Sequence, residues 1–454
     1  MTISTLKSAR LDTLKGHIRG ETLLPGDAGY DQVRKIWNGM FDRRPAIIAR
    51  CESAEDVAAS IAFAREHDLL ISVRGGGHSF PGHSVNDGGI MIDLAAMKLI
   101  DVQPQQRIAR AQPGVLWGEF DQTTHEHGLA VTGGQISHTG IAGLTLGGGI
   151  GWLMRKHGLT CDNLQAVELV TADGQSMKAS AEENPELFWG VRGGGGNFGI
   201  VTEFTYRLHP LSMVLGGLIA YPLPEAATVL RTLRSYLSDT PDELTTTTFL
   251  LTTPDGHPAL GIGLCYAGDP EAGQHHVEDL RKMGTVVMEQ IGVMPYPAVQ
   301  SMLDHVATPG NRYYVKSNFV DEISDEVIDV LIDYYGRVPS PMTAILLVQM
   351  GGAVARTDRE ATAYQYRDAN FSFSAISGWV DPDQDDANIS WTRQLWEALT
   401  PYLPAAVYIN ELTDEGHERV RAAYGSAYDR LARLKKQVDP ANIFRMNQNI
   451  QPAD

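Results

Sequence analysis

The residues best suited to chemistry are imidazoles set among glycines. Arg74-Gly75-Gly76-Gly77-His78-Ser79 is followed almost at once by Gly82-His83-Ser84. Successive bare amides can wrap phosphate oxygens without a helix, and a neutral imidazole is a nucleophile or ligand near pH 7. The stretch therefore suits a phosphate cradle, a metal site or a histidine offered to a cofactor. A tight strand-to-strand turn with an incidental histidine would account for one such loop. Two more glycine-rich runs, Gly133–Gly151 and Gly193–Gly199, also lie beside strand-like segments and favour one large ligand along all three.

Three narrower readings can be tested on spacing. Gly194, Gly196 and Gly199 satisfy GxGxxG, but that fingerprint should open a helix, and the strand-like IVTEFTYRL follows instead. The pattern GxxxxGK followed by Ser or Thr is absent, which removes a P-loop. His78, His83, His125, His127 and His138 have no acid among them at ligand spacing, and His125 and His127 point to different faces of a helix end. No metal site is expected.

These loops need strands to hold them. PAIIARC reads as a strand, and SAEDVAASIAFAREHD as a helix with Ser53 as N-cap and Val57, Ile61 and Ala64 on one face. LLISV reads as a second strand, so the first glycine loop leaves the carboxyl end of a βαβ-like unit, where α/β proteins place ligands. IMIDLAAM and RIARA continue as strands, and LQAVELVTADGQSM as a hairpin. From about Leu211 the texture changes to strand-like runs (VLGGLIAYPL, TTTTFLLTT, ALGIGLCYAG, AILLVQMGGAVA) interleaved with amphipathic helices, which predicts an antiparallel sheet with helices on one face. Glu418 to Val438 reads as one helix ending before Asp439-Pro440. The fold class is α+β.

A chain of 454 residues is too long for one core and predicts two domains or one interrupted domain. The net charge of -18 would repel a nucleic-acid backbone. Cys51, Cys161 and Cys265 are too far apart for a zinc site and suit a reducing compartment. Neither a secretory leader nor a bilayer-length apolar run is evident. A cytoplasmic protein without a membrane is expected, either monomer or homo-oligomer.

Four ordered segments carry a family resemblance across nearly the whole chain: RGGGHS at 74–79, TGIAGLTLGGGIGWLMRKHGLTCDNL at 139–164, ELFWGVRGGGGNFGIVTEF at 186–204 and DPANIFRMNQNI at 439–450. Together they resemble the FAD-linked oxidases of the vanillyl alcohol oxidase superfamily, with its PCMH-type FAD-binding domain, and within it the berberine bridge enzyme and hydroxynicotine oxidase branch. The resemblance implies a two-part FAD-binding domain (residues 1–208 and 415–454) and a substrate-binding domain (209–414). It implies FAD bonded covalently to His78 through the flavin 8α-methyl group, with Arg74–Gly77, Ser79, Gly82, His83 and Ser84 in the cradle. Thr139, Gly140, Gly143 and Gly147–Gly149 resemble the segment beside the pyrophosphate and ring, Val201 the contact at the adenine end, and Asn447 and Asn449 the returning asparagines.

Two departures matter. Some members carry a second flavin bond from a cysteine eleven residues before the GGG; that position here is Ile136, so a single linkage is expected, with Cys161 a core thiol. Several relatives have a tyrosine base immediately after the asparagine of a YIN-like segment; here Tyr408-Ile409-Asn410 is followed by Glu411. Glu411 reads either as a carboxylate base in an apolar pocket or as the first acid of the surface loop ELTDEGHE. Tyr408 and Asn410 are expected to line the cavity, and Tyr366 and Arg367 to lie near the substrate. The implied reaction is oxidation of a small-molecule C–H (alcohol, amine, sugar hemiacetal or secondary-metabolite intermediate) with dioxygen as acceptor. A same-fold dehydrogenase using another acceptor and a non-redox nucleotide-binding protein are the alternatives.

Overall fold

The computed structural model describes residues 8–454, with side chains from Leu11 onward; the leader reading rests partly on residues 1–7, which lie outside the described residues. Three sheets carry the architecture. The first contains β1 (Glu21–Leu23), β2 (Ile47–Arg50), β3 (Ile71–Arg74) and β4 (Ile90–Asp93), in the order β1-β2-β4-β3. Strands β2 and β3 both pair parallel with β4. The expected βαβ unit is thus present with a third strand between its two arms, because β4 is buried along its whole length and takes the central place. Its helix, Ala54–Glu66, is capped as anticipated: Asp56 N donates to Ser53 Oγ at 3.3 Å. Val57, Ile61 and Ala64 are buried.

The second sheet is antiparallel, in the order β5-β6-β10-β8-β9, from β5 (Ile100–Gln103), β6 (Ile108–Ala111), β8 (Leu164–Val170), β9 (Ser176–Ser180) and β10 (Ile200–Arg207). A two-stranded ribbon joins β7 (Leu129–Ala130) to β11 (His209–Pro210). The β8–β9 hairpin turns at the expected place, and β10 begins directly after the third glycine loop.

The third sheet has seven antiparallel strands: β12 (Met213–Pro222), β13 (Leu244–Thr252), β14 (Pro258–Tyr266), β15 (Met288–Pro295), β16 (Arg312–Val320), β17 (Ala344–Gln349) and β18 (Phe371–Trp379), in the order β15-β12-β14-β13-β17-β18-β16. Side chains alternate across a strand, and that alternation divides its labour. Leu347, Phe371, Phe373 and Ala375 join the core under the helices Ala226–Leu237, Asp325–Tyr335 and Asp385–Leu399. Their neighbours Leu346, Val348, Ser372 and Ile376 face a cavity on the other side.

The C-terminal run is two helices, not the single one expected. His417–Tyr424 ends at Gly425, whose φ of 50° no right-handed helix accommodates, and Tyr428–Val438 starts anew. The second helix buries Lys435 completely. Its Nζ donates to Asp439 Oδ2 (2.6 Å), Asn197 O (2.8 Å) and Phe444 O (2.9 Å). Asp439 also accepts from the backbone N–H of Ile443 and Phe444. This ion pair pins the C-terminal segment to the third glycine loop. Asp439→Ala would leave the ammonium buried and uncompensated, and is expected to cost about 3–5 kcal/mol in a urea melt. Among the described residues, no helix is long and apolar enough to cross a membrane.

Candidate active site

The glycine loops meet around one cavity of about 350 Å³. Gly75–Ser79 leave the end of β3; Thr139, Gly140 and Gly143 lead into and lie on the helix Ile141–Leu146; Gly195, Gly196 and Gly199–Val201 lead into β10. Met446–Gln448 close the C-terminal side. The first two loops cross backbone to backbone: a Cβ on Gly76 would lie 2.5 Å from Gly140 N and Cα. No side chain fits there. Gly76→Ala must push the loops apart, an overpacking cost of about 1–3 kcal/mol. The expected result is a lower flavin content per chain in the purified protein, measured by absorbance against protein mass.

His78 lines this cavity. Its ring stacks on Trp37 at 4.2 Å and 16°, and Trp37 stacks in turn on Tyr313 at 4.0 Å. Trp37 Nε1 donates to Ala307 O, so the sandwich is fixed at its middle member. His78 Nε2 is buried without a hydrogen-bond partner. Burial, aided by the neighbouring His138, pushes its pKa down to about 3. The imidazole is therefore neutral at physiological pH, oriented, and has an uncommitted nitrogen. That suits a covalent tether to a cofactor better than a role in charge pairing. His83 also lines the cavity, held neutral by burial with a pKa of about 4.

Opposite the loops, Tyr408, Asn410 and Glu411 all line the cavity around a short 3-10 turn, Ile409–Glu411. The Tyr408 hydroxyl accepts from Gly149 N (3.0 Å), Ile150 N (3.3 Å) and Asn410 Nδ2 (2.7 Å). Asn410 Nδ2 donates as well to Leu144 O at 3.1 Å. Burial pushes the tyrosine pKa up. Tyr408 is thus a protonated brace for the glycine turn. Glu411 is different. Its Oε2 accepts from Ser374 Oγ at 2.5 Å, and burial raises its pKa to about 7 against the lowering effect of that hydrogen bond. The exposed acids of the following loop begin only at Asp414.

Other sequence-derived candidates fall into distinct places. Ser84, Val201 and Asn447 line the cavity, and Asn447 Nδ2 donates to Gly196 O and Phe444 O at 3.1 Å. Gly147–Gly149 stand behind the wall, packed on Asn410, Tyr364 and Thr160. Arg74 lies outside it, donating to Val33 O and facing Asp93 at 3.7 Å; Gly82 backs onto the Phe41 ring. Asn449 does not reach the wall, and its Oδ1 is buried without a partner. Tyr366 and Arg367 are also displaced from the expected substrate side. Tyr366 donates to Ala422 O, and Arg367 is buried on Asp162 at 2.7 and 3.0 Å. Cys161 is buried with its thiol pKa raised by burial.

Sequence reasoning missed Trp37, Gln135, Ser372 and Ser374. Gln135 lines the cavity and donates to Thr247 Oγ1 at 2.6 Å. The two serines alternate with buried Phe371, Phe373 and Ala375. That period of two was the one available signal.

Comparison with known proteins agrees with this geometry. The family described as FAD binding domain matches residues 45–180, and the family described as Berberine and berberine like matches residues 407–451. The chain is 33% identical over 443 residues to an FAD-linked oxidoreductase of Dictyostelium discoideum, covering 96% of this chain and 95% of that one. It is 33% identical over 453 residues to (R)-6-hydroxynicotine oxidase of Paenarthrobacter nicotinovorans, covering 96% and 97%. The crystal structure of 6-hydroxy-D-nicotine oxidase from Arthrobacter nicotinovorans superimposes with a TM-score of 0.90 at 31% identity, over 96% of this chain and 98% of that one. With its glycine cradle, its neutral histidine and these relatives, the chain belongs to the FAD-linked oxidoreductases of the berberine bridge enzyme and hydroxynicotine oxidase branch of the vanillyl alcohol oxidase superfamily.

Proposed function

We propose that the protein is an oxidase that carries its FAD on a single covalent bond from His78 and uses Glu411 as base toward a small, largely apolar alcohol or amine. The observation that carries this reading is the raised Glu411 carboxyl, which lines the same cavity as the neutral His78. FAD, when bound, supplies a hydride acceptor that dioxygen returns to the oxidised state.

The rest falls to the protein. Gly75–Gly77, Thr139 and Gly140 offer backbone to the pyrophosphate, and the crossing of Gly76 and Gly140 leaves no room for a side chain at either. His78 anchors the ring, and Tyr408 braces the turn at Gly149 and Ile150. Leu346, Val348, Ile376 and Ile136 give the cavity an apolar roof that excludes water, with Gln135 and Ser372 as its polar points. Ionised Glu411 takes the proton from a substrate O–H or N–H as the adjacent C–H bond breaks, while Ser374 holds the carboxylate in place. Residues 1–208 and 415–454 would form the cofactor part, and 209–414 the substrate part. The apolar roof favours an alcohol or amine over a sugar, and the resemblance to hydroxynicotine oxidases points the same way.

The test is oxygen consumption and peroxide release by the purified yellow protein across panels of cyclic amines, aromatic alcohols and oligosaccharides. Turnover of an amine or alcohol with stoichiometric peroxide supports the reading. Bleaching of the flavin by substrate without oxygen uptake would make the protein a dehydrogenase.

A further inference from the structure

A second cavity, of about 470 Å³, is lined by Lys156, His157, Arg192, Arg207, His209 and Asp162, among others. Three cations lining one cavity are unusual in a chain of net charge -18, because like charges held together repel. Asp162 offsets them only in part: it faces Arg192, but both its oxygens accept from Arg367, which stands outside the lining. Arg192 donates to Ala361 O at 2.7 Å and Phe188 O at 3.2 Å and lies over the Phe188 ring at 4.1 Å, with no ion-pair carboxylate among the described residues. Lys156 donates to Ala267 O at 2.7 Å and has Glu243 no nearer than 3.8 Å. Arg207 is exposed and has no carboxylate partner among the described residues.

The imidazoles add a second observation. His157 and His209 stack at 3.9 Å and 12°. His209 Nε2 donates to Asn163 Oδ1 at 2.7 Å, whereas His157 Nε2 is buried without a partner. Burial and the neighbouring cations keep both rings neutral, His157 at about 3 and His209 at about 4. An uncommitted imidazole nitrogen beside three cations, two of them planar guanidinium donors, is the donor set of an oxyanion site.

We propose that this cavity binds a dianionic phosphate group through Arg207, Arg192 and Lys156, with His157 Nε2–H as a further donor. Three positive charges match a dianion better than a carboxylate. The segment between the lining residues Gly158 and Asp162 also holds the glycine turn that Tyr408 braces: Thr160 N and Cys161 N donate to Gly149 O (3.0 Å) and Gly148 O (2.8 Å).

The test is calorimetric titration of the flavin-loaded protein with inorganic phosphate, phenyl phosphate and acetate. One saturable phosphate site is expected, at least tenfold weaker in Arg207→Gln and in Lys156→Gln, and unchanged in Arg337→Gln, a surface arginine paired with Asp333 on a distant helix. Melting curves verify that each variant is folded. Equal affinity for phenyl phosphate would assign the ligand to a phosphomonoester, and its exclusion to the free ion. Absence of saturable binding, binding that both variants retain, or acetate bound as tightly as phosphate would overturn the proposal.

Discussion

Glu411→Gln is expected to lower kcat by roughly a thousandfold, within the range for loss of a positioned general base, while leaving the bound flavin spectrum intact. The parent enzyme should show the matching pH dependence. The carboxyl has a pKa of about 7 and must be ionised to accept a proton. Its kcat/KM therefore rises with pH, reaches half its plateau near pH 7, and loses that limb in the glutamine variant. Ser374 supplies an independent check. Its hydroxyl stabilises the charged form, so Ser374→Ala should move the limb to higher pH while keeping the plateau within about tenfold.

The same residue has an opposite effect on stability. A carboxyl whose folded-state pKa is raised contributes stability that is full below its unfolded value of 4.5 and is lost as pH rises through about 7. Above pH 7 the parent holds a poorly solvated carboxylate that the glutamine variant lacks. Thermal melts should therefore place Glu411→Gln above the parent at pH 8, by about 3 kcal/mol at most, and level with it near pH 4.

The second large effect belongs to His78. His78→Ala removes the imidazole that stacks on Trp37 and lines the cavity with an unpartnered Nε2. It is expected to bind FAD reversibly, to release its colour on denaturation, and to turn over on the order of tenfold more slowly, because a tether also tunes the flavin's electronics. Loss of a linked ligand removes stabilisation that grows with its binding, so the variant's melting temperature should depend on added FAD where the parent's does not.

Much of this was legible in the residues. The three glycine loops, the strand before or after each, and the alternation of the middle sheet all follow from local chemistry and period. What stayed hidden depended on tertiary contact. The place of β4 between β2 and β3 reflects which strand is most buried, and β15 and β16 lack clean alternation. The break at Gly425 was overlooked because apolar spacing continues across it.

The site shows the same division. His78 was identifiable from its glycines, but its partner Trp37 lies 41 residues upstream, where nothing local marks it. Glu411 was ambiguous, since a carboxylate opening an acidic loop reads as surface until Ser374 and the sheet close over it. Arg367 looked functional because the segment YQYRDANF resembles a family segment near the substrate. Its use is to balance Asp162.

The measurement that bears most directly on the central claim is made on the parent protein. The purified chain is precipitated with acid, the pellet washed and digested, and the peptides weighed. Yellow colour retained in the pellet, with the mass of FAD on the peptide containing His78 and none on the peptide containing Cys161, is the predicted result. Colour released into the supernatant, or flavin mass on any other residue, would contradict the account.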